Sequence, residues 1–263
     1  MLTEDQILHF QHKGVLYLPG VFKQWVPALQ QAVEQALSQP SALERSYKPQ
    51  DGSAPFFQDY CNWQRFSTLY DFVFHSPAAK VAAQLMKSQT VRFFHDHILV
   101  KHPGTSLITP WHQDQPYYCV QGEQSVSFWT PLDPVDQKRS LECVAGSHLW
   151  SQVGFRPKRF DGTNLYKKDE FAELPDIDAN RESFEILSYE MQPGDAIAFD
   201  FRTIHGAAGN HSKTSRRVVS TRWVGDDARW AVRQGVTSPP FPHIDLPDGA
   251  PFDAPEFPLI QIH

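Results

Sequence analysis

Two histidines and one aspartate in this chain have the types and spacing to hold a redox-active metal. His112 and Asp114 lie in Trp111-His112-Gln113-Asp114-Gln115, and His205 stands far downstream in Thr203-Ile204-His205-Gly206. Two imidazoles and one carboxylate form the facial ligand set that suits Fe(II) and leaves positions open for oxygen chemistry. In an extended segment residues i and i+2 share a face, so His112 and Asp114 can reach one ion while a distant strand supplies His205. Taken singly, His112 reads as a hydrogen-bonded strand histidine and His205 as a loop histidine beside Gly206. Neither histidine belongs to the i, i+4 helical pair of a zincin.

Context separates this motif from chance. With 12 histidines in the chain, about one His-x-Asp is expected at random. A second match, His243-Ile244-Asp245, sits in a proline-dense tail whose only later histidine is the terminal His263. His112-Gln113-Asp114 instead lies between strand-like runs.

The elements that must position these groups fall into three stretches. Residues 1–89 are mainly helical: Thr3-Glu4-Asp5-Gln6 is a capping box, Gly14 a helix stop, and Val15 to Leu18 a short strand. Trp25 to Ser38 has helical spacing, and Pro77 to Lys87 is an alanine-rich helix. Ser46 to Asp59 reads as a polar, flexible loop over an active site. From 90 to about 225 the chain turns to short β-branched and aromatic runs: Val91 to Lys101, Ser125 to Leu132, Leu141 to Ala145, Phe184 to Met191, Asp195 to Asp200 and Arg217 to Val224. Gly154 to Arg181 is a charged, aperiodic excursion, and 226–263 is a Pro-rich tail. The expectation is a single domain over 1–263, a mainly β sandwich or barrel with flanking helices.

Composition narrows the function. A net charge of -6 argues against a nucleic-acid partner, which would require a basic surface. The three cysteines, Cys61, Cys119 and Cys143, are too few and scattered for a disulfide framework or zinc site. They fit a reducing cytoplasm. The N-terminus lacks a signal peptide's apolar run, and no stretch reaches the ~18 apolar residues of a membrane span.

A dicarboxylate cosubstrate would call for an arginine, whose fork grips carboxylate in two hydrogen bonds. Arg216 and Arg217 follow His205, but alternation sends them to opposite faces: Arg216, Val218, Ser220 and Arg222 share one. Spacing alone does not choose between them. Other candidates have plainer readings. His95 and His97 share a strand face and read as inward polar residues rather than a second metal cluster. His148 reads as a turn residue, and Arg156, Lys158 and Arg159 as a solvated loop cluster, with reception of an anionic substrate as the alternative reading. Gln115, Tyr117 and Tyr118 directly follow the ligands, where substrate would sit.

Trp111 to Tyr118, Phe128-Trp129-Thr130-Pro131-Leu132, Val144-Ala145-Gly146-Ser147-His148, Met191-Gln192-Pro193-Gly194-Asp195, His205-Gly206-Ala207-Ala208-Gly209-Asn210 and then Arg216, in this order, resemble the phytanoyl-CoA dioxygenase family. The resemblance runs from about Leu2 to Val224. It implies a double-stranded β-helix (a jelly-roll, cupin-like core) and an oxygenase using Fe(II), 2-oxoglutarate and O₂. By position it makes His112, Asp114 and His205 the iron ligands and Arg216 the partner of the far carboxylate of 2-oxoglutarate. Trp129, Gln113 and His97 match positions lining the cosubstrate pocket. Related halogenases lack the carboxylate ligand, so Asp114 favours hydroxylation of a C–H bond in a small organic substrate. Ala145 replaces the family's usual proline, a change expected to affect turn rigidity alone. The rival readings are a non-catalytic small-molecule-binding β-helix and a metal-dependent hydrolase with the same triad.

Overall fold

The computed structural model describes residues 1–150, 153–159, 162–166 and 171–262. The elements, in order, are α1 (Glu4–Lys13), β1 (Val15–Leu18), α2 (Val26–Ser38), β2 (Phe56–Tyr60), α3 (Ser67–His75), α4 (Ala78–Met86) and β3 (Val91–Lys101). There follow β4 (Thr109–His112), β5 (Val120–Gln121), β6 (Ser125–Pro131), β7 (Leu141–Val144), β8 (Ile186–Leu187) and β9 (Ala196–Phe199). Last come β10 (His205–Ala207), β11 (Arg216–Val224), β12 (Arg229–Trp230) and β13 (Leu259–Ile260).

A large sheet runs β1-β9-β6-β11-β3-β13, with β2 also paired to β3, and a smaller one runs β4-β10-β7-β8. Residues of both sheets line one cavity between them, a jelly-roll with its site in the middle. Alternation along the strands assigns the two faces. Val219, Trp223, Val126 and Phe128 turn outward and join α2, α3 and α4 in the main apolar core. Trp129, Val218, Ile197 and Phe199 turn inward with Leu141 and Cys143 of the smaller sheet. Charge can therefore be placed on the inner face, while the outer face supplies apolar burial.

The N-terminal helix is built as its sequence dictates. Thr3 and Gln6 exchange side-chain and backbone hydrogen bonds in a capping box, and Gly14 ends the helix at φ 69°. Gly14 also ties the helix to the site, because its carbonyl accepts hydrogen bonds from the Asp200 amide at 2.9 Å and the Thr203 hydroxyl at 2.7 Å. A Cβ at this position would press on the His148 ring and lie 2.6 Å from Thr203 Oγ1. We expect Gly14→Ala to destabilise the fold by about 3 kcal/mol, combining left-handed strain with overpacking. Thermal melting checks this, and an unchanged midpoint would contradict it.

Several sequence expectations are corrected. Ser46 to Asp59 is not all loop: Phe56–Tyr60 is a strand in register with β3, Phe56 opposite Lys101 and Tyr60 opposite His97. A helix with no counterpart in the sequence reading, α3, packs Leu69, Phe72 and Val73 into the core. The strand expected from Phe184 to Met191 shrinks to Ile186–Leu187. The tail is ordered against the sheet: Leu259 and Ile260 pair with β3, and Phe252 and Phe257 pack with Phe94. His243 is bonded to Glu256 at 2.8 Å and, among the described residues, belongs to no group of three that could hold a metal. The terminal His263 lies outside the described residues. Among those described, no helix is long and apolar enough to cross a membrane.

Candidate metal centre

Strand pairing brings the three candidate ligands together. In the antiparallel β4–β10 pair His205 lies opposite His112, and the two rings approach to 4.2 Å between centroids. Asp114 arrives by a different local route from the extended one expected. β4 ends at His112, and Asp114 takes helical angles, φ -72° and ψ -44°. Its amide is held by the Phe201 carbonyl at 2.8 Å. Asp114 Oδ1 then lies 3.7 Å from His112 Nε2 and 3.7 Å from His205 Nε2. Among the described residues this is the one His/Cys/Asp/Glu group of three or more with atoms close enough to hold a metal.

The tautomers follow from what the other ring nitrogens touch. His112 Nδ1 meets the Pro110 carbonyl at 2.7 Å and His205 Nδ1 the Thr203 carbonyl at 2.9 Å. A carbonyl only accepts, so each Nδ1 carries a proton and each Nε2 is the ring nitrogen that faces Asp114. Burial, and then the neighbouring His112, push His205 down to about 3, so it is a neutral donor at physiological pH. Burial alone would raise the Asp114 carboxyl, but the Arg222 guanidinium beside it holds it well below the usual range. Two imidazoles and one carboxylate form the donor set of a divalent ion that keeps open positions.

The triad opens on a cavity of about 800 Å³. Its floor is a ladder of cross-strand neighbours on β3 and β11, Lys101 beside Arg216, Leu99 beside Val218 and His97 beside Ser220, with Arg222 at its end. Arg216 and Lys101 are both almost fully buried, at 4% and 1% exposure. Arg216 donates to the Arg139 carbonyl, lies 5.7 Å over the Trp129 ring, and has no partner for its Nε among the described residues. Burial and the nearby Arg139 push it down to about 10. Lys101 Nζ reaches the Ala208 carbonyl at 2.9 Å and the face of Phe56 at 4.8 Å. Burial, then Arg216, push the amine down to about 6. Neither cation has a carboxylate within ion-pair distance among the described residues. Burying a charge without a counter-ion is costly, so this end of the cavity is built for an anion.

The structure sorts the remaining expected residues. Trp129, His97, Tyr117, Tyr118 and Arg156 line the cavity. His97 stacks on Tyr60 at 3.9 Å and leaves its buried Nε2 unpartnered; burial, with Arg222 nearby, keeps it well below the usual imidazole range. His95 lies deeper, edge-on to Tyr118, and is not part of the lining. Arg156 pairs with Glu173 at 2.6 Å. Gln113 and Gln115 turn away from the cavity. The Gln113 amide bonds the Arg202 carbonyl and the Phe155 amide, and Gln115 bonds the Gly122 carbonyl at 2.7 Å. Both belong to the turn that places Asp114. His148 bonds the Gln11 carbonyl at 3.1 Å, facing α1. Sequence reasoning passed over Lys101 and gave Arg222 no role. Alternation along Val91–Lys101 and Arg216–Val224 could have placed both on the inner face.

The sequence profile of the phytanoyl-CoA dioxygenase family matches residues 10–218. A probable phytanoyl-CoA dioxygenase of Caenorhabditis elegans is 23% identical over 190 residues, 70% of this chain and 55% of that protein. The chain thus spans about half the length of the curated relative it matches. Among solved structures, the non-heme alpha-ketoglutarate-dependent carbocyclase SnoK from nogalamycin biosynthesis superimposes with a TM-score of 0.78 at 22% identity, covering 99% of this chain and 97% of that one. The epimerase SnoN, in complex with Fe³⁺, alpha-ketoglutarate and nogalamycin RO, gives 0.78 at 18% identity, with 98% of each chain covered. EctD from S. alaskensis, with 2-oxoglutarate and 5-hydroxyectoine, gives 0.71 at 19% identity, covering 95% of this chain and 85% of that one. These likenesses establish a shared fold. With a family profile matched across most of its length, the chain belongs to the phytanoyl-CoA dioxygenase family.

Proposed function

We propose that this chain is an Fe(II)- and 2-oxoglutarate-dependent oxygenase that hydroxylates a C–H bond of a small organic substrate. One observation carries the reading: a His-Asp-His cluster shares its cavity with two buried basic side chains, Arg216 and Lys101, that have no carboxylate within ion-pair distance among the described residues. The donor set fits a ferrous ion, and the two cations fit the far carboxylate of a keto diacid. When bound, the ion with 2-oxoglutarate and O₂ supplies the oxidant, and succinate and CO₂ leave with the hydroxylated product.

The protein's own residues do the rest. His112, Asp114 and His205 would hold the ion. Arg216 and Lys101 would hold the far carboxylate, and Leu99, Val218 and Trp129 supply the apolar lining between the two ends. Tyr117, Tyr118 and Arg156 face the remaining volume, where substrate would displace water. Small-molecule pockets are of this size and mixed lining. The three cysteines are free thiols, in keeping with a reducing cytoplasm.

Lys101 gives this reading a pH signature. Its neighbours are Arg216 on β11, with Arg139 behind it, and the uncharged Phe56 ring on β2. An arriving carboxylate raises the amine from about 6, so binding near neutrality takes up a proton. Affinity for 2-oxoglutarate should therefore fall as pH rises from 6 to 8, by at most about tenfold per unit. Calorimetry in buffers of different ionisation enthalpy measures that uptake. Lys101→Met should weaken binding and abolish the uptake; an unchanged pH profile in the variant would remove Lys101 from the seat.

The reaction outcome is tested by screening small organic acids, amino acids and polyketide-like aromatics for stimulated succinate formation, then weighing the product. A gain of one oxygen atom supports hydroxylation. Loss of two hydrogens, or an unchanged mass, would instead assign ring closure or epimerisation, the activities named for the nogalamycin proteins of the same fold.

A further inference from the structure

The two oxygens of Asp114 are in different environments. Oδ1 faces both imidazole Nε2 atoms at 3.7 Å. Oδ2 accepts from the Ser127 hydroxyl at 3.2 Å and from the Arg222 guanidinium at 3.4 Å. Ser127 and Arg222 are cross-strand neighbours on β6 and β11, so one rung of the sheet grips one oxygen.

Arg222 is itself locked. It is 4% exposed, and its Nε donates to the Tyr118 hydroxyl at 2.8 Å while one terminal nitrogen donates to the Ser220 carbonyl at 3.1 Å. Its cross-strand neighbour His95 is neutral, so among the described residues Asp114 is its one carboxylate partner. A buried cation fixed against a carboxylate competes with any second cation for the same charge. It also offers no donor to the metal. Its presence is therefore unfavourable for bare metal affinity, and its placement needs another reason.

We propose that Arg222 is a positioning residue that sets how Asp114 ligates: it retains Oδ2 and presents Oδ1 alone to the metal. Two consequences follow. A carboxylate confined to one oxygen leaves an additional position for a chelating cosubstrate. A carboxylate whose charge is shared with a guanidinium neutralises less of the metal's charge, which strengthens the metal's hold on an anionic keto acid. Arg222 thus lowers affinity for the bare ion and raises affinity for the anion that follows it. Ser127 acts on the same oxygen without charge, so its effect should be smaller.

This inference rests on the ferrous reading of the triad, and the experiment separates the two. Co(II), a redox-stable probe, is titrated into wild-type protein, Arg222→Gln and Ser127→Ala, and 2-oxoglutarate is then titrated into each at saturating Co(II). Wild-type protein that fails to bind Co(II), or binds it without 2-oxoglutarate, defeats the functional reading itself. With wild-type binding of both established, Arg222→Gln should hold Co(II) at least as tightly as wild type, while 2-oxoglutarate binds at least about tenfold more weakly, a change of 1.4 kcal/mol. A merely structural arginine predicts weaker Co(II) binding in the variant, and that result overturns the proposal, as does unchanged 2-oxoglutarate affinity. Should Arg222→Gln fail to fold, Ser127→Ala decides alone: it must weaken 2-oxoglutarate by about threefold without weakening Co(II), and the opposite order overturns the inference.

Discussion

Arg216→Ala is expected to lower 2-oxoglutarate-dependent turnover by about two to three orders of magnitude while leaving metal binding at the triad intact. Truncating one partner of a buried, hydrogen-bonded charge pair costs about 2–5 kcal/mol, and Arg216 is buried with an Nε that has no partner among the described residues. The same substitution should not destabilise the unliganded fold, because it removes a buried charge that has no carboxylate within ion-pair distance among the described residues. In wild-type protein 2-oxoglutarate should raise the melting temperature by ligand linkage; in the variant that rise should vanish. Succinate formation and thermal melts with and without 2-oxoglutarate check both halves. Succinate formation close to wild type in the variant would remove Arg216 from the carboxylate seat, whereas wild-type protein that forms no succinate would favour a metal-dependent hydrolase with the same triad.

Asp114→Ala should cost the centre its only anionic donor and leave Arg222 as an uncompensated buried cation. Removing one partner of a buried pair is destabilising by about 3–5 kcal/mol, so this variant, unlike Arg216→Ala, should melt markedly earlier as well as lose iron. We expect iron occupancy, measured after anaerobic loading and desalting, to fall to a small fraction of wild type with turnover undetectable. Full retention of iron with normal turnover would remove Asp114 from the ligand set. The contrast between the two variants is diagnostic: one loses the cosubstrate and keeps the metal, the other loses both.

What the sequence revealed and what it concealed follow from how each residue gets its role. His112, Asp114 and His205 were legible because ligand chemistry resides in residue type, and strand-like flanks told one His-x-Asp from the other. Arg216 became legible through its place in a family pattern, since its face could not be chosen from alternation alone. Lys101 and Arg222 were not, because their roles come from cross-strand register: Lys101 matters by lying opposite Arg216, and Arg222 by lying opposite Ser127. Gln113 and Gln115 misled for the converse reason. They are adjacent to the ligands in sequence, but the backbone leaves the strand after His112, and both amides turn to bind backbone.

The architecture shows the same division. The long strands from Val91 and from Arg216 stand out as continuous β-branched and aromatic runs. α3 did not, because Leu69-Tyr70-Asp71-Phe72-Val73-Phe74 is as aromatic and β-branched as a strand, and packing against α2 and α4 decides its form. The tail reads as Pro-rich coil, yet its phenylalanines are ordered by the Phe94 cluster they join, a partner distant in sequence.

The most direct test of the central claim is anaerobic titration of the apoprotein with Fe(II) and then 2-oxoglutarate, followed in the visible spectrum. A weak metal-to-ligand charge-transfer band should grow to one 2-oxoglutarate per chain in wild-type protein and be absent in Asp114→Ala. Wild-type protein that is saturated with Fe(II) and shows no band at any 2-oxoglutarate concentration would contradict the account.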